Sequence, residues 1–131
     1  MSADEPGRSN AALNLAINLF NNGRRRLDLN EYAEVKSLVR TNIPYARRRH
    51  GNDHLITTNL LELLSVIIID EVQQHRDAAD PSEDLREAVT TLEDLCKRGR
   101  RIFGATHPQT LKFEKNLKRA RNLLVSIARG G

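Results

Sequence analysis

The chain carries one phrase twice, fifty-three positions apart. Arg47-Arg48-Arg49-His50-Gly51-Asn52-Asp53-His54-Leu55-Ile56-Thr57 is answered by Arg100-Arg101-Ile102-Phe103-Gly104-Ala105-Thr106-His107-Pro108-Gln109-Thr110. Both copies contain Arg-Arg and then Gly-x-x-His-x-x-Thr, with apolar positions after it. Internal repetition on this scale marks a chain built from supersecondary units, none of which can bury its apolar face alone. Such a chain presents surfaces to partners, so a compact catalytic constellation is not the first expectation.

The repeated phrase has a mechanical meaning. A glycine can adopt the positive-φ backbone that ends a helix. Pro108 suits the first turn of the next helix, where its missing N–H is no loss. Thr57 and Thr110 fall in that first turn, where a hydroxyl can meet a free backbone N–H. The phrase therefore predicts a tight helix–loop–helix joining antiparallel partners.

Five helical segments follow from the apolar spacing, and no segment keeps the two-residue alternation of a strand. The first spans about 10–22, with Leu13, Ala16, Ile17 and Phe20 on one face, and stops at Gly23. The second begins after Asn30 as N-cap, presents Tyr32, Val35, Leu38 and Val39, and ends at Gly51. Pro44 lies within it and predicts a kink or break near 41–43. The third, about 55–76, is apolar nearly all round from Leu60 to Ile69, so it has to be covered on several sides. The stretch 78–82 reads as a linker, with Ser82 or Asp80 capping the fourth segment, which ends at Gly104. Its core face is Leu85, Val89, Leu92, Leu95 and Cys96. The fifth spans about 108–128, with Phe113, Leu117, Ala120, Leu124 and Ile127 as its apolar stripe. The expected fold is all-α, an antiparallel helical-hairpin repeat: residues 1–9 form a disordered N-terminus, and 10–129 a single domain.

Composition narrows the function classes. Aromatic residues are 4% of the chain and Trp is absent, so stacking of exposed bases is poorly supplied. A single cysteine, Cys96, excludes an internal disulfide framework and a Cys-rich zinc module. Met1 to Asn10 is polar and acidic, unlike a secretory leader, and the longest apolar run is too short to span a bilayer. The expectation is a soluble cytoplasmic protein with no membrane association. The net charge of +4 is unevenly spread. Residues 70–94 hold nine acids against two bases, whereas 97–131 hold ten bases and one acid, Glu114.

The pair of phrases resembles the tetratricopeptide-type repeats of the kinesin light chain class, whose units carry Leu-Gly-x-x-His-Pro-x-Thr between helices. Phe103-Gly104-Ala105-Thr106-His107-Pro108-Gln109-Thr110 matches that pattern closely, and the copy around Gly51 lacks the proline. The stretch from Asp84 to Glu93 is similar to repeat proteins common in algae and other protists. The resemblance covers roughly 10–128. It implies the fold and a protein-binding role, because such repeats serve many unrelated partners. The spacing of fifty-three exceeds the usual period of about 34 residues, and about two and a half units are present where about three make a stable stack. Either long helices compensate or a second chain completes the core.

Candidate chemistry is sparse. His50, Asp53 and His54 lie close in sequence, yet a zinc site needs more ligands and their orienting partners. His54 also has a counterpart, His107, at a helix start. Cys96 sits on an apolar stripe without a base at fixed spacing, and behaves as a small hydrophobe. No nucleophile–base order or phosphate-binding loop occurs, so neither enzyme activity nor a cofactor is expected. The basic residues are the candidate site. Arg47, Arg48 and Arg49 end the second segment, and Lys97, Arg98, Arg100 and Arg101 end the fourth, where the helix dipole favours cations. Lys112, Lys115, Lys118, Arg119 and Arg121 continue along the fifth without matching acids nearby in sequence. A face of one sign is either solvated or docks an anionic partner. The leading expectation is a non-catalytic adaptor, scaffold or assembly subunit binding an acidic protein segment. The chain's own 70–94 region is one such segment, giving a homodimer with the third helix as seam. The alternative is association with RNA or a ribonucleoprotein through phosphate neutralisation.

Overall fold

The computed structural model describes residues 28–76 and 80–130. Among these residues there are four helices and no strand: α1 (Leu29–His50), α2 (Leu55–Gln74), α3 (Ser82–Ile102) and α4 (Pro108–Ala128). The all-α expectation holds at that level, with four helices where five were expected. The first expected helix, 10–22, and the N-terminal 1–9 lie outside the described residues. The chain groups into two compact units, Met1–Ile67 and Ile68–Gly131, with the division inside α2.

In the first unit α1 starts at a capping box. The Asp28 carboxylate accepts from the Glu31 N–H at 2.8 Å, and the Glu31 carboxylate accepts from the Asp28 N–H at 3.0 Å. The N-cap is therefore Asp28 and not Asn30, because the Asp-x-x-Glu spacing satisfies two free donors reciprocally. Of the kink or break expected at Pro44, the break does not occur, since the helix runs on through the proline to His50. A helical proline removes one backbone bond and costs about 3 kcal/mol. Burial of Tyr32, Val35, Val39, Ile43 and Ala46 on both sides of it supplies the offsetting term, at roughly 1.5–3 kcal/mol for each large side chain. In the turn before the proline, Thr41 Oγ1 donates to the Ser37 carbonyl and the Asn42 amide to the Leu38 carbonyl, both at 2.8 Å.

The helix ends at Gly51, whose φ of 90° and ψ of 165° lie in a region that essentially only glycine occupies. Its N–H donates to the Arg47 carbonyl at 2.9 Å. Three residues on, the His54 Nδ1 accepts from the Ile56 N–H at 3.1 Å, and its ring stacks on His50 with centroids 4.5 Å apart. The imidazole, not the threonine hydroxyl, satisfies a free donor of the new helix. Thr57 is fully buried, and its hydroxyl has no hydrogen-bond partner among the described residues.

The second unit repeats this construction. Gly104 has φ 100°, and its N–H reaches back to the Gly99 carbonyl at 3.1 Å, while Phe103 bonds the same carbonyl at 2.8 Å. The His107 Nδ1 accepts from the Gln109 N–H at 3.0 Å, and its ring stacks on Phe103 with centroids 4.7 Å apart. Thr110 is buried, and its hydroxyl has no partner among the described residues, as with Thr57. Pro108 occupies the first turn of α4, as expected.

The repeat extends through the core. The buried positions of α1 are Tyr32, Val35, Val39, Asn42, Ile43 and Ala46; those of α3 are Leu85, Ala88, Leu92, Leu95, Cys96 and Gly99. Each is related to its counterpart by fifty-three residues. Thr57, Leu60, Leu64 and Ile67 correspond in the same way to Thr110, Phe113, Leu117 and Ala120, all buried. Val89 and Leu38 are half-buried, so their helices turn slightly from the expected faces. On α4, Leu123 is buried where Leu124 and Ile127 were expected and are only half-buried.

Within the second unit α3 packs on α4. Gly99 lies against Thr110 and Phe113, Arg100 meets Glu114, and Glu93 meets Arg121, so the two helices run in opposite senses. The end of α2 lies along α4, with Arg119 donating to Gln73 at 2.9 Å and Arg76 to Ser126 at 2.7 Å. The start of α3 has no capping side chain at Pro81, its N-cap residue. The Asp80 carboxylate instead accepts from both the N–H and the hydroxyl of Ser82, at 3.0 and 2.7 Å. Those bonds hold its pKa below the ordinary carboxylate value.

Candidate docking surface

The twelve candidate cations fall into three environments. At the end of α1, Arg47, Arg48 and Arg49 are exposed, and the Arg48 guanidinium sits 4.8 Å from the Tyr45 ring centroid. Their position in the last turn lets them complement the helix dipole.

The second environment is a set of neutralised arginines. Arg98 bonds Asp94 at 2.6 Å along α3. Arg100 bonds Glu114 at 2.9 Å, and Arg121 bonds Glu93 at 2.8 Å, both across the α3–α4 pair. Glu114 raises the Arg100 pKa still further above its ordinary value, by hydrogen bonding first and by charge second. One acid missing from the local sequence of the last helix, Glu93, is thus supplied by its neighbour. Exposed pairs of this kind contribute only about 0.2–1 kcal/mol each, so they set register and charge balance more than stability. They also tie Glu93 and Asp94 within the chain, which removes both from the acidic stretch available to another copy. Arg119 is half-buried, bonded to Gln73 and, at 3.4 Å, to Asn116. It joins α4 to the end of α2 and is not a free surface cation.

The third environment is exposed lysine. Lys97 on α3 and Lys112, Lys115 and Lys118 on α4 are all exposed, as is Arg101. Among the described residues, Lys97, Lys115 and Lys118 have no ion pair.

The repeat register gives the α4 face its meaning. On α2, Glu62, Ser65, Ile68, Ile69 and Val72 are buried, between 0% and 8% exposed. Fifty-three residues later stand Lys115, Lys118, Arg121, Asn122 and Val125 on α4, all exposed. The side of the second helix that is covered in the first copy is bare and basic in the second. On α2, Leu60, Leu61, Leu64, Ile67, Ile68 and Ile69 are buried within the chain itself.

The remaining candidates do not assemble into chemistry. His50 and His54 are committed to stacking and to the helix cap. Among the described residues, no group of three or more His, Cys, Asp or Glu is placed to hold a metal ion. Cys96 is 2% exposed, and its thiol pKa is raised by burial first and by the Glu114 charge second, against the opposing pull of Arg100 and Arg121. Among the described residues, no helix is long and apolar enough to cross a membrane. Sequence reasoning missed the histidine caps and the exposed apolar residues Ile102, Phe103 and Leu111 beside the basic ones. The spacing Gly-x-x-His in both copies was the available signal for the first, since an imidazole nitrogen is a good acceptor at an N-cap. The chain matches no known protein family, no curated protein and no solved structure.

Proposed function

We propose that this chain is a non-catalytic protein-interaction module, built from helical hairpins of the tetratricopeptide type, that docks an acidic protein segment on the basic face of α4. The observation that carries the reading is the register between α2 and α4. The positions covered on the second helix of one copy become Lys115, Lys118, Arg121, Asn122 and Val125 on the second helix of the other. A helix face left open to solvent needs polar side chains for solubility. Here that face has one dominant sign, which raises the local concentration of anionic partners. The paired Gly-x-x-His junctions and the matching buried sets support the hairpin-repeat reading. Glu114 and Glu93, which meet Arg100 and Arg121 across the α3–α4 pair, make the surface mixed in charge, which suits a peptide better than a uniformly anionic nucleic-acid backbone.

The test is binding of a labelled oligoglutamate peptide, compared with a single-stranded RNA of equal charge, across salt. The peptide is expected to bind at about 50 mM salt and weaken steeply as salt rises, because screening acts on exposed charges. Lys115→Glu with Lys118→Glu is expected to weaken it at least tenfold. Tighter retention of the RNA, equally sensitive to the same substitutions, refutes the protein-partner reading in favour of a ribonucleoprotein role.

A further inference from the structure

The edge shared by α3 and α4 carries more pattern than a charged face requires. Residues three or four apart on a helix share a face, so 93, 97, 100 and 103 line one edge of α3, and 111, 114, 118 and 121 one edge of α4. The contacts Glu93–Arg121 and Arg100–Glu114 fix the register between the two rows. In that register Lys97 lies level with Lys118, and Phe103 with Leu111. The row thus alternates: a neutralised pair, two exposed lysines without an ion pair among the described residues, a second neutralised pair, then an apolar tip. Phe103 is 42% and Leu111 51% exposed, and Ile102 beside them is 48% exposed.

The first copy is built with different side chains at these positions. Fifty-three residues earlier the same positions hold Pro44 for Lys97, Ser65 for Lys118, His50 for Phe103 and Thr58 for Leu111. His50 performs the stacking on its histidine that Phe103 performs in the second copy. Lysine and bulky apolar residues therefore stand on this edge where the first copy is built without them.

We propose that this edge recognises an extended peptide in which a bulky apolar residue lies three positions from an acidic pair. This rests on the acidic-segment reading above and specifies its ligand. The levels of Phe103 and Lys97 are six helical residues apart, about 9 Å at 1.5 Å per residue. A chain in the extended polyproline II conformation covers about the same distance in three residues at roughly 3.1 Å each, and brings residues three apart to one side. The apolar side chain sits on Phe103 and Leu111, and the carboxylates reach Lys97 and Lys118. The salt-bridged pairs Arg100–Glu114 and Glu93–Arg121 carry no net charge, so the ligand needs charge only at the level of the lysines. That distinguishes a spaced peptide from a polyphosphate strand.

The experiment uses fluorescence anisotropy with the full chain and three synthetic peptides: one with a leucine three positions to either side of two glutamates, one with those leucines as serine, and one with the glutamates as glutamine. The first is expected to bind about tenfold tighter than either of the others, the order expected for partly burying one leucine or losing one charge contact. Leu111→Ser, an exposed substitution whose folding is checked by helical circular dichroism, is expected to remove the leucine preference and leave the serine peptide unchanged. Lys97→Glu with Lys118→Glu is expected to remove the glutamate preference. Equal binding of the leucine and serine peptides, with oligoglutamate still bound through Lys115 and Lys118, overturns this inference and leaves the acidic-segment reading intact. Failure of every acidic peptide, or preference for the RNA, overturns both.

Discussion

The close approach at Gly99 makes the sharpest prediction about how the second unit is held together. A Cβ built on Gly99 would lie 3.0 Å from Thr110 Oγ1 and 3.2 Å from Phe113 Cδ2. Thr110 is β-branched and fully buried, and the Phe113 ring is 1% exposed, so neither can retreat easily. Replacing an interior helical glycine by alanine gains about 1 kcal/mol of helix propensity. Overpacking a filled core costs about 1–3 kcal/mol. The packing term wins, and Gly99→Ala is expected to lower stability by a net of about 1 kcal/mol. The first copy suggests the remedy, because it holds Ala46, Thr57 and Leu60 at the corresponding positions. Phe113→Leu alone should cost about 1 kcal/mol. Added to Gly99→Ala it relieves the ring contact, so the double variant should be more stable than the sum of singles by about 1 kcal/mol. Urea unfolding of the four proteins measures this, with the midpoint moving at constant slope. A stabilised Gly99→Ala, or additivity within about 0.5 kcal/mol, would refute the claim that these three side chains share one tightly filled space.

Four further outcomes are expected. Gly51→Ala and Gly104→Ala should each lose about 1–3 kcal/mol from backbone conformation alone, since nothing lies within 4 Å of either added Cβ; unchanged urea midpoints would contradict this. Thr57→Val and Thr110→Val should be neutral or stabilising by up to about 1 kcal/mol, because each hydroxyl is buried without a partner among the described residues; a loss of that size would restore the hydroxyl as a helix cap. Asp80 has a lowered pKa in the fold, so its contribution is present above the ordinary carboxylate range and is lost as pH falls through the lowered value. The stability gap between wild type and Asp80→Asn should therefore narrow as pH falls below the ordinary carboxylate range, and a gap that widens toward acid would reverse the sign. Cys96 should react with iodoacetamide at neutral pH only when the protein is unfolded, given its burial and raised pKa; rapid native alkylation, followed by mass spectrometry, would show an accessible thiolate.

Much of the local construction was legible. Helices α2, α3 and α4 follow from apolar spacing, and the glycine junctions from the repeated phrase. Boundaries failed where two residues competed for one role. Asp28 outdid Asn30 because its partner Glu31 closes a reciprocal box, a relation visible in the sequence once both ends are considered. Pro44 was read by its local penalty, and the buried side chains around it outweighed that penalty. Thr57 and Thr110 were credited with capping because hydroxyls often do so, while the imidazoles of His54 and His107 were already aimed at the same donors. For the candidate site, the cations were identified but not sorted. Arg100, Arg119 and Arg121 look alike in sequence, and only their neighbours Glu114 on α4, Gln73 on α2 and Glu93 on α3 separate them from Lys115 and Lys118.

What the sequence determined by itself is whatever depends on residues within a few positions of one another. That includes helix periodicity, the glycine that only an unusual φ accommodates, the histidine three residues on, and the fifty-three-residue offset that repeats them. Tertiary structure alone decided which of two chemically identical surfaces meets a partner inside the molecule. Glu93 and Arg121 are twenty-eight residues apart, and their pairing exists only because α3 and α4 lie side by side in opposite senses. Charge along a chain is a one-dimensional quantity. Whether it is neutralised, and so whether it is offered to another molecule, is decided by distances of a few ångströms in three dimensions, over which Coulomb attraction between exposed groups is effective.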